Sequence, residues 1–263
     1  MRTRSAILAI VGGWLAIVLA AAPALAALDT VSGYAYGESV DVTLVSTVNV
    51  TSGPLPEAGP IGPASGSDSN SALSVCAPLI TCSVLSTGTL DVATTGTTGD
   101  PGSVSSTASV QNVSAFGGLV TGSVVASECA VDNNGATSGS STLTNVEVNG
   151  IVVASNPGPN TSLILLDAGD VAVGHVILNE QAYDAGTNTL TVNAIHITLD
   201  VADNSLGTGD IIISHVKCDA TPAGPAPVIP ESPLAILLPL TALLVVGGTL
   251  LITLRRGAVL ARR

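Results

Sequence analysis

A period of two runs through the middle of this chain, and it restricts the fold more than any other feature. SVDVTLVSTVNV (Ser39 to Val50) places Val40, Val42 and Leu44 on one set of alternate positions, and NAIHITLD repeats the pattern with Ile195, Ile197 and Leu199. A strand sends successive side chains to opposite faces, so alternation of this kind marks a half-buried strand. No sustained stripe at i, i+3, i+4 and i+7 accompanies it, and Val, Thr and Gly abound, so helices are not expected in this region. Turn signals separate the runs. Asn134-Gly135 and Asn149-Gly150 suit the positive φ values of a type I′ hairpin turn. They predict a meander over Leu119–Val131, Ser138–Val148 and Ile151–Ala154. Asp100-Pro101-Gly102 marks a further turn. The expected class is all-β, as an antiparallel β-sandwich. A β-solenoid is the alternative, weakened by the lack of a repeat at fixed period.

Residues 27–220 form the expected exported all-β domain, long enough to bury a sizeable core as one unit or two. That core has to be aliphatic, because Tyr34, Tyr36, Phe116 and Tyr183 are the aromatics of this stretch. Two segments read differently. TSGPLPEAGPIGPASGSDSNS (Thr51 to Ser71) is rich in Pro, Gly and Ser and predicts a long exposed loop. TPAGPAPVIPESP (residues 221–233) predicts a Pro-rich stalk, which at ~3.1 Å per residue extends about 40 Å.

Both ends carry targeting signals. Arg2 and Arg4 precede the apolar run AILAIVGGWLAIVLAAA, and Ala24-Leu25-Ala26 closes it. That order is a cleavable signal peptide over residues 1–26, with an uncleaved anchor as the weaker reading. At the other end, Leu234 to Leu254 is free of charge, and as a helix it spans about 31 Å, close to the ~30 Å hydrocarbon core. Arg255 and Arg256 follow, then Arg262 and Arg263, which by the positive-inside rule place the basic tail of 255–263 in the cytoplasm. A buried core helix is disfavoured, since the basic residues after it offer nothing to cover it. LPLTA (Leu238 to Ala242) resembles a sortase-type motif, and PESP (Pro230 to Pro233) resembles the start of a sorting tail. The apolar LAIL upstream draws the first into the membrane. A retained single-span anchor is therefore the leading expectation, and a processed sorting signal the second.

Charge divides sharply between these segments. The chain has 7 Lys and Arg against 19 Asp and Glu. Lys217 is the one basic residue between 27 and 233, where all the acids lie, so one against nineteen leaves −18. Such a surface repels nucleic acid phosphates and anionic lipid headgroups, and nucleic acid is not an expected partner. Cys76, Cys82, Cys129 and Cys218 belong to the exported part, where disulfides are the rule. Three pairings are possible. The favoured one closes a short loop with Cys76–Cys82 and ties two distant strands with Cys129–Cys218. Asn49, Asn112 and Asn160 each begin an N-x-[ST] triplet, too short a motif to carry weight in a Ser/Thr-rich chain.

Catalytic motifs are missing: no Gly-x-Ser-x-Gly, no His-Glu-x-x-His, no Gly-x-x-x-x-Gly-Lys and no Cys-x-x-Cys occurs. With one lysine and no arginine outside the end segments, anionic substrates lack their usual cationic clamp. His175, His196 and His215 lie in strand-like segments with Glu180, Asp200 and Asp219 near in sequence. Neighbours at i, i+2 on one strand do not converge on a metal, so none is expected. DVADNSLGTGD (Asp200 to Asp210) and AVDNNGATSGS offer oxygen ligands but do not fit an EF-hand loop. No cofactor is expected either. Tyr34 and Tyr36, on the same side of one strand, are the candidate stacking faces for a carbohydrate.

Five strings in order resemble the bacterial, mainly actinobacterial, choice-of-anchor P family of secreted surface proteins. They are SGYAYGESVDVTL, GIVVASNPGPNTSL, GHVILNEQ, LTVNAIHITLD and GDIIISHVKCD, spanning Ser32 to Asp219. The resemblance implies surface display with a C-terminal anchor that varies among members, and it implies no catalysis, substrate or cofactor. Cys129 and Cys218 match the positions expected of the family's paired cysteines, and Cys76 and Cys82 look like an addition. The expected function is a surface-anchored, non-enzymatic β domain with a structural, adhesive or cell-envelope role. An extracellular module binding carbohydrate or another small ligand is the alternative, and a hydrolase the least favoured. The expected partners are an envelope or extracellular matrix component and, through the C-terminal helix, the membrane.

Overall fold

A computed structural model describes residues 27–44, 48–77, 82–200 and 206–223. The signal segment with Ala24 and Ala26, the rest of the stalk, the Leu234–Leu254 block, Arg255, Arg256 and the basic tail lie outside the described residues. Among those described, no helix is long and apolar enough to cross a membrane.

The strands are β1 (Leu28–Leu44), β2 (Val48–Ala58), β3 (Gly66–Ala72), β4 (Cys76–Ala77), β5 (Leu85–Ser86), β6 (Leu90–Thr97), β7 (Ser103–Ala115) and β8 (Val120–Val131). They continue with β9 (Thr137–Thr144), β10 (Glu147–Val148), β11 (Ile151–Val152), β12 (Thr161–Leu166), β13 (Ala172–Asp184), β14 (Thr189–Leu199) and β15 (Thr208–Pro222). Sheet I has the order β12-β13-β14-β15-β1-β2. Sheet II follows β11-β10-β8-β7-β5-β4, with β6 also on β7, β3 on β6 and β9 on β8. The described pairings are antiparallel. The class is all-β, and neither sheet closes into a barrel.

The inner faces of the two sheets share an aliphatic interior. Val40, Val42, Ile195, Ile197, Ile211 and Ile213 of sheet I meet Leu85, Leu90, Val110, Val125 and Leu143 of sheet II in one cluster. A second cluster gathers Val31, Ala35, Val192 and Val216 against Val92, Val104, Ala108 and Val131. Small residues let the sheets approach closely here. A Cβ on Gly33 would collide with Thr94 and Ser106 across the gap, which is one physical reason the interior needs so few aromatics.

A polar seam crosses the interior. Ser214 Oγ donates to Ala108 O at 2.9 Å, and Ser127 Oγ donates to Ser214 O at 2.9 Å. Ser106 Oγ donates to Lys217 O at 3.2 Å, and Ser141 Oγ donates to Asn179 Oδ1 at 3.1 Å. The backbone bends to make this possible. Gly37–Glu38, Leu178–Asn179, Ala194–Ile195 and Ile213–Ser214 are four consecutive pairs in which both members are buried, one on each of β1, β13, β14 and β15. Asn179 (φ 50°) and Ser214 (φ 61°) take left-handed conformations there, while the one-to-one pairing of β13, β14 and β15 continues on either side. On β1, β13 and β15 the kink turns Glu38, Asn179 and Ser214 inward, where simple alternation would have sent them out, while on β14 both residues are apolar. The facing sheet satisfies the inward polar groups, as burial requires. Glu38 is the exception. It has 0% exposure, Ser52 Oγ donates to its Oε1 at 2.9 Å, and its Oε2 has no partner. Burial pushes its carboxyl above the usual range, with the Ser52 hydrogen bond pulling the other way.

The cysteines pair as Cys76–Cys82, with Cα atoms 4.6 Å apart, and Cys129–Cys218, at 6.0 Å. The second bridge joins β8 to β15 across the interior. The two ends of the strand region meet: Leu28 stands opposite Pro222, and Ala223 N donates to Ala27 O at 2.6 Å.

Three local expectations need correction. Thr51 to Ser71 is not one loop, since it contains most of β2 and β3. Pro54 and Pro56 sit on β2, which pairs with β1 alone, and a sheet edge tolerates their missing N–H groups. Asn134-Gly135 is not a type I′ turn, because Gly135 (φ 77°) is its one positive-φ residue. Asp132 instead caps the loop, its Oδ1 accepting from Asn134 N at 2.8 Å and Ala136 N at 2.9 Å. Asn149 (φ 52°) and Gly150 (φ 73°) do have the expected I′ signs. The strand expected over Ser138–Val148 breaks into β9 and β10 where Asn145 turns left-handed at φ 50°.

Candidate functional site on the outer face of sheet I

The outer face of sheet I holds the residues with the most chemistry. Register alone assembles them. Glu180 on β13 stands opposite Asn193 on β14, which stands opposite His215 on β15, then Tyr36 on β1 and Glu57 on β2. Tyr34 and Lys217 form the neighbouring cross-strand pair. The inward positions of the same strands are the apolar ones, so each strand gives one face to the core and the other to this cluster.

Tyr36 and His215 stack, with ring centroids 4.2 Å apart and planes 11° from parallel. Tyr34 meets Tyr36 edge-on at 5.8 Å and His215 at 6.1 Å. Tyr36 is only 8% exposed, whereas Tyr34 is half-buried. Burial first, then Glu57 beside the hydroxyl, pushes the Tyr34 phenol up to about 12. The Tyr36 phenol is pushed up by burial and then by Tyr34, Glu180 and Glu38. Burial first, and Lys217 second, bring the His215 imidazole down to about 4, so it is neutral at pH 7.

A hydrogen-bonded chain runs from that ring. His215 Nδ1 lies 2.6 Å from Asn193 Oδ1, and Asn193 Nδ2 donates to Glu180 Oε2 at 2.6 Å. The same carboxylate oxygen lies 2.9 Å from His196 Nδ1, and His196 Nε2 lies 3.1 Å from Asp210 Oδ1. Thr198 Oγ1 donates to Asp210 Oδ1 at 2.8 Å. A separate contact joins His175 Nδ1 to Asp200 Oδ2 at 3.2 Å.

No protein-family model, curated protein or solved structure matches this chain. Its residues alone therefore carry the functional reading.

The chain of contacts is linear and not convergent. Among the described residues, no three His, Cys, Asp or Glu side chains gather to hold a metal ion. His196 is the closest approach to a base beside a hydroxyl, with Thr198 Oγ1 at 3.5 Å from its Nε2. That hydroxyl proton is directed at Asp210, and the same ring nitrogen faces the Asp210 carboxylate. A nucleophile needs a free base within reach, and this pair does not offer one.

The outer face of sheet II is different in kind. Ser69, Asn70, Ser71, Asp91, Thr107 and Ser109 line an open depression of about 490 Å³. A smaller one of about 210 Å³ lies among Ser105, Glu128, Ser138 and Ser140. Hydroxyls dominate both.

Of the residues singled out from the sequence, Tyr34 and Tyr36 come together on one face, joined by His215. Glu180 and His196 meet, while Asp219 joins neither. Asn193 and Glu57 had no signal in the sequence. Their role comes from cross-strand register.

Proposed function

We propose that the chain is an exported, surface-anchored antiparallel β-sandwich that works by contact and not by catalysis, with a structural or adhesive role at the cell envelope. One observation carries this reading. The two ends of the strand region lie side by side, with Ala27 against Ala223. A mature N-terminus near Ala26 and a stalk beginning after Pro222, where β15 ends, would thus leave from one end, and the opposite end and both outer faces would be free for contact. The resemblance to choice-of-anchor P proteins and the acidic surface point the same way. Mass spectrometry of the protein from fractionated cells tests it. An N-terminus at Ala27 in an envelope fraction is the expected result, and a cytosolic chain with Met1 retained would overturn it.

A second reading, an extracellular module for carbohydrate or another small ligand, is favoured by the Tyr34–Tyr36–His215 cluster. Paired rings beside oriented polar groups are the usual means of holding a sugar.

A further inference from the structure

We propose that His215 Nε2 is the hydrogen-bond acceptor of a site for a neutral saccharide chain, with the half-buried Tyr34 ring as its stacking wall. The proposal deepens the ligand-binding reading and rests on it.

The acceptor follows from the contacts. Glu180 Oε2 receives hydrogen bonds, so the Asn193 group 2.6 Å from it is the amide nitrogen. That fixes Asn193 Oδ1 toward His215, 2.6 Å from Nδ1. An amide oxygen only accepts, so Nδ1 carries the hydrogen. In a neutral ring the lone pair is then on Nε2. This nitrogen has no partner among the described residues. Among the described residues, Glu38 Oε2 is the one buried side-chain nitrogen or oxygen without a partner, so His215 Nε2 reaches solvent. Tyr36 stacked on one side of the ring and Asn193 bonded at its edge hold it still, and a fixed acceptor binds at lower entropic cost than a mobile one.

The ligand class follows from what surrounds the acceptor. Glu57 and Glu180 add further acceptors, which suit hydroxyl donors and oppose an anion. Lys217, exposed beside Tyr34, offsets part of that negative charge, and a cationic ligand is the competing outcome that the chitosan gel below tests. A purely apolar ligand would leave the acceptors unpaired, which is costly. A saccharide supplies hydroxyl donors together with an apolar ring face for Tyr34.

Affinity electrophoresis of the purified full-length chain tests this, with dextran, laminarin, xylan or cationic chitosan in separate gels. The expected result is retardation by at least one of the three neutral glycans. Affinity should fall at least tenfold in Tyr34→Ala and in His215→Phe, which keeps a ring against Tyr36 but removes the acceptor. Thr107→Ala, on the other sheet, should be retarded like the parent. Circular dichroism confirms that each variant is folded, and Tyr34→Ala, at the more exposed ring, serves if His215→Phe is not. Retardation by a neutral glycan that neither variant alters overturns the site while leaving the ligand-binding reading standing. Retardation by none of the neutral glycans, or by chitosan alone, overturns both the site and its neutral ligand.

Discussion

The two outer faces of this molecule are built on the same alternation and have opposite character. On sheet II the outward positions are hydroxyl-bearing: Ser105, Thr107 and Ser109 along β7 face Ser138, Ser140 and Thr142 across β8. On sheet I they include all three histidines, Tyr34, Tyr36 and the carboxylates that bond them. The inner faces do not differ in this way, since both are aliphatic. Folding therefore requires no aromatic ring on either outer face. Tyrosine and histidine are concentrated on one of them, and that asymmetry is what the proposed ligand site rests on.

The inner faces set the largest effects, and they test whether the asymmetry is confined to the outside. Ile213→Ala in sheet I and Leu143→Ala in sheet II remove fully buried side chains. Each should cost about 2–5 kcal/mol in chemical denaturation. A cost near zero on one sheet would mean that the inner faces differ too. Replacing Cys129 and Cys218 together by alanine should cost a similar ~2–5 kcal/mol, because their bridge closes a long loop, with 89 residues of separation. Removing Cys76–Cys82, with a separation of 6, should cost less in the same assay.

Two titrating groups on sheet I have opposite signs. Glu38 has a folded-state carboxyl raised by burial. Its contribution is full below the ordinary glutamate range and is lost as pH rises through the folded value. Glu38→Gln should therefore stabilise the protein at pH 8, on the order of 1 kcal/mol, and be close to neutral at pH 4. The His215 ring is lowered from 6.5 to about 4, with Tyr34, Tyr36, Glu57, Glu180 and Lys217 the titratable groups around it. Its contribution is full above pH 6.5 and is lost as pH falls toward 4. The melting temperature of the parent should fall more steeply over that interval than that of His215→Phe. Parallel curves would mean that the ring is not desolvated in solution.

How much of this is legible in the sequence depends on the range of the interaction. Alternation is local, so Val40, Val42, Ile195 and Ile197 declare their strands and their inward face. Left-handed Asn149 and Gly150 declare their turn for the same reason. Pro54 and Pro56 mislead, because the sequence does not say that β2 is an edge, where proline is tolerated. The chain from His215 to Glu180 is out of reach as well. Its links join residues 22 and 13 positions apart, and one residue of slip in any register would send half of them to the core. Ser214 and Asn179 show the same limit from inside, since left-handed kinks overturn the alternation that would have placed them outward.

The smallest expected effect discriminates most cleanly between the faces. Thr107→Ala and Ser140→Ala remove hydroxyls from the outer face of sheet II, away from the caps, bulges and buried networks through which single substitutions do damage. Each should change stability by less than about 0.5 kcal/mol. Tyr36→Ala on sheet I deletes a ring with 8% exposure that is stacked on His215, and its loss should be several times larger, since a buried ring contributes through both area and stacking. Denaturant titration of the three variants side by side decides the matter. If Thr107→Ala or Ser140→Ala costs as much as Tyr36→Ala, the hydroxyl face is itself part of an ordered structure. The contrast between a bare support and a built contact surface would then fail.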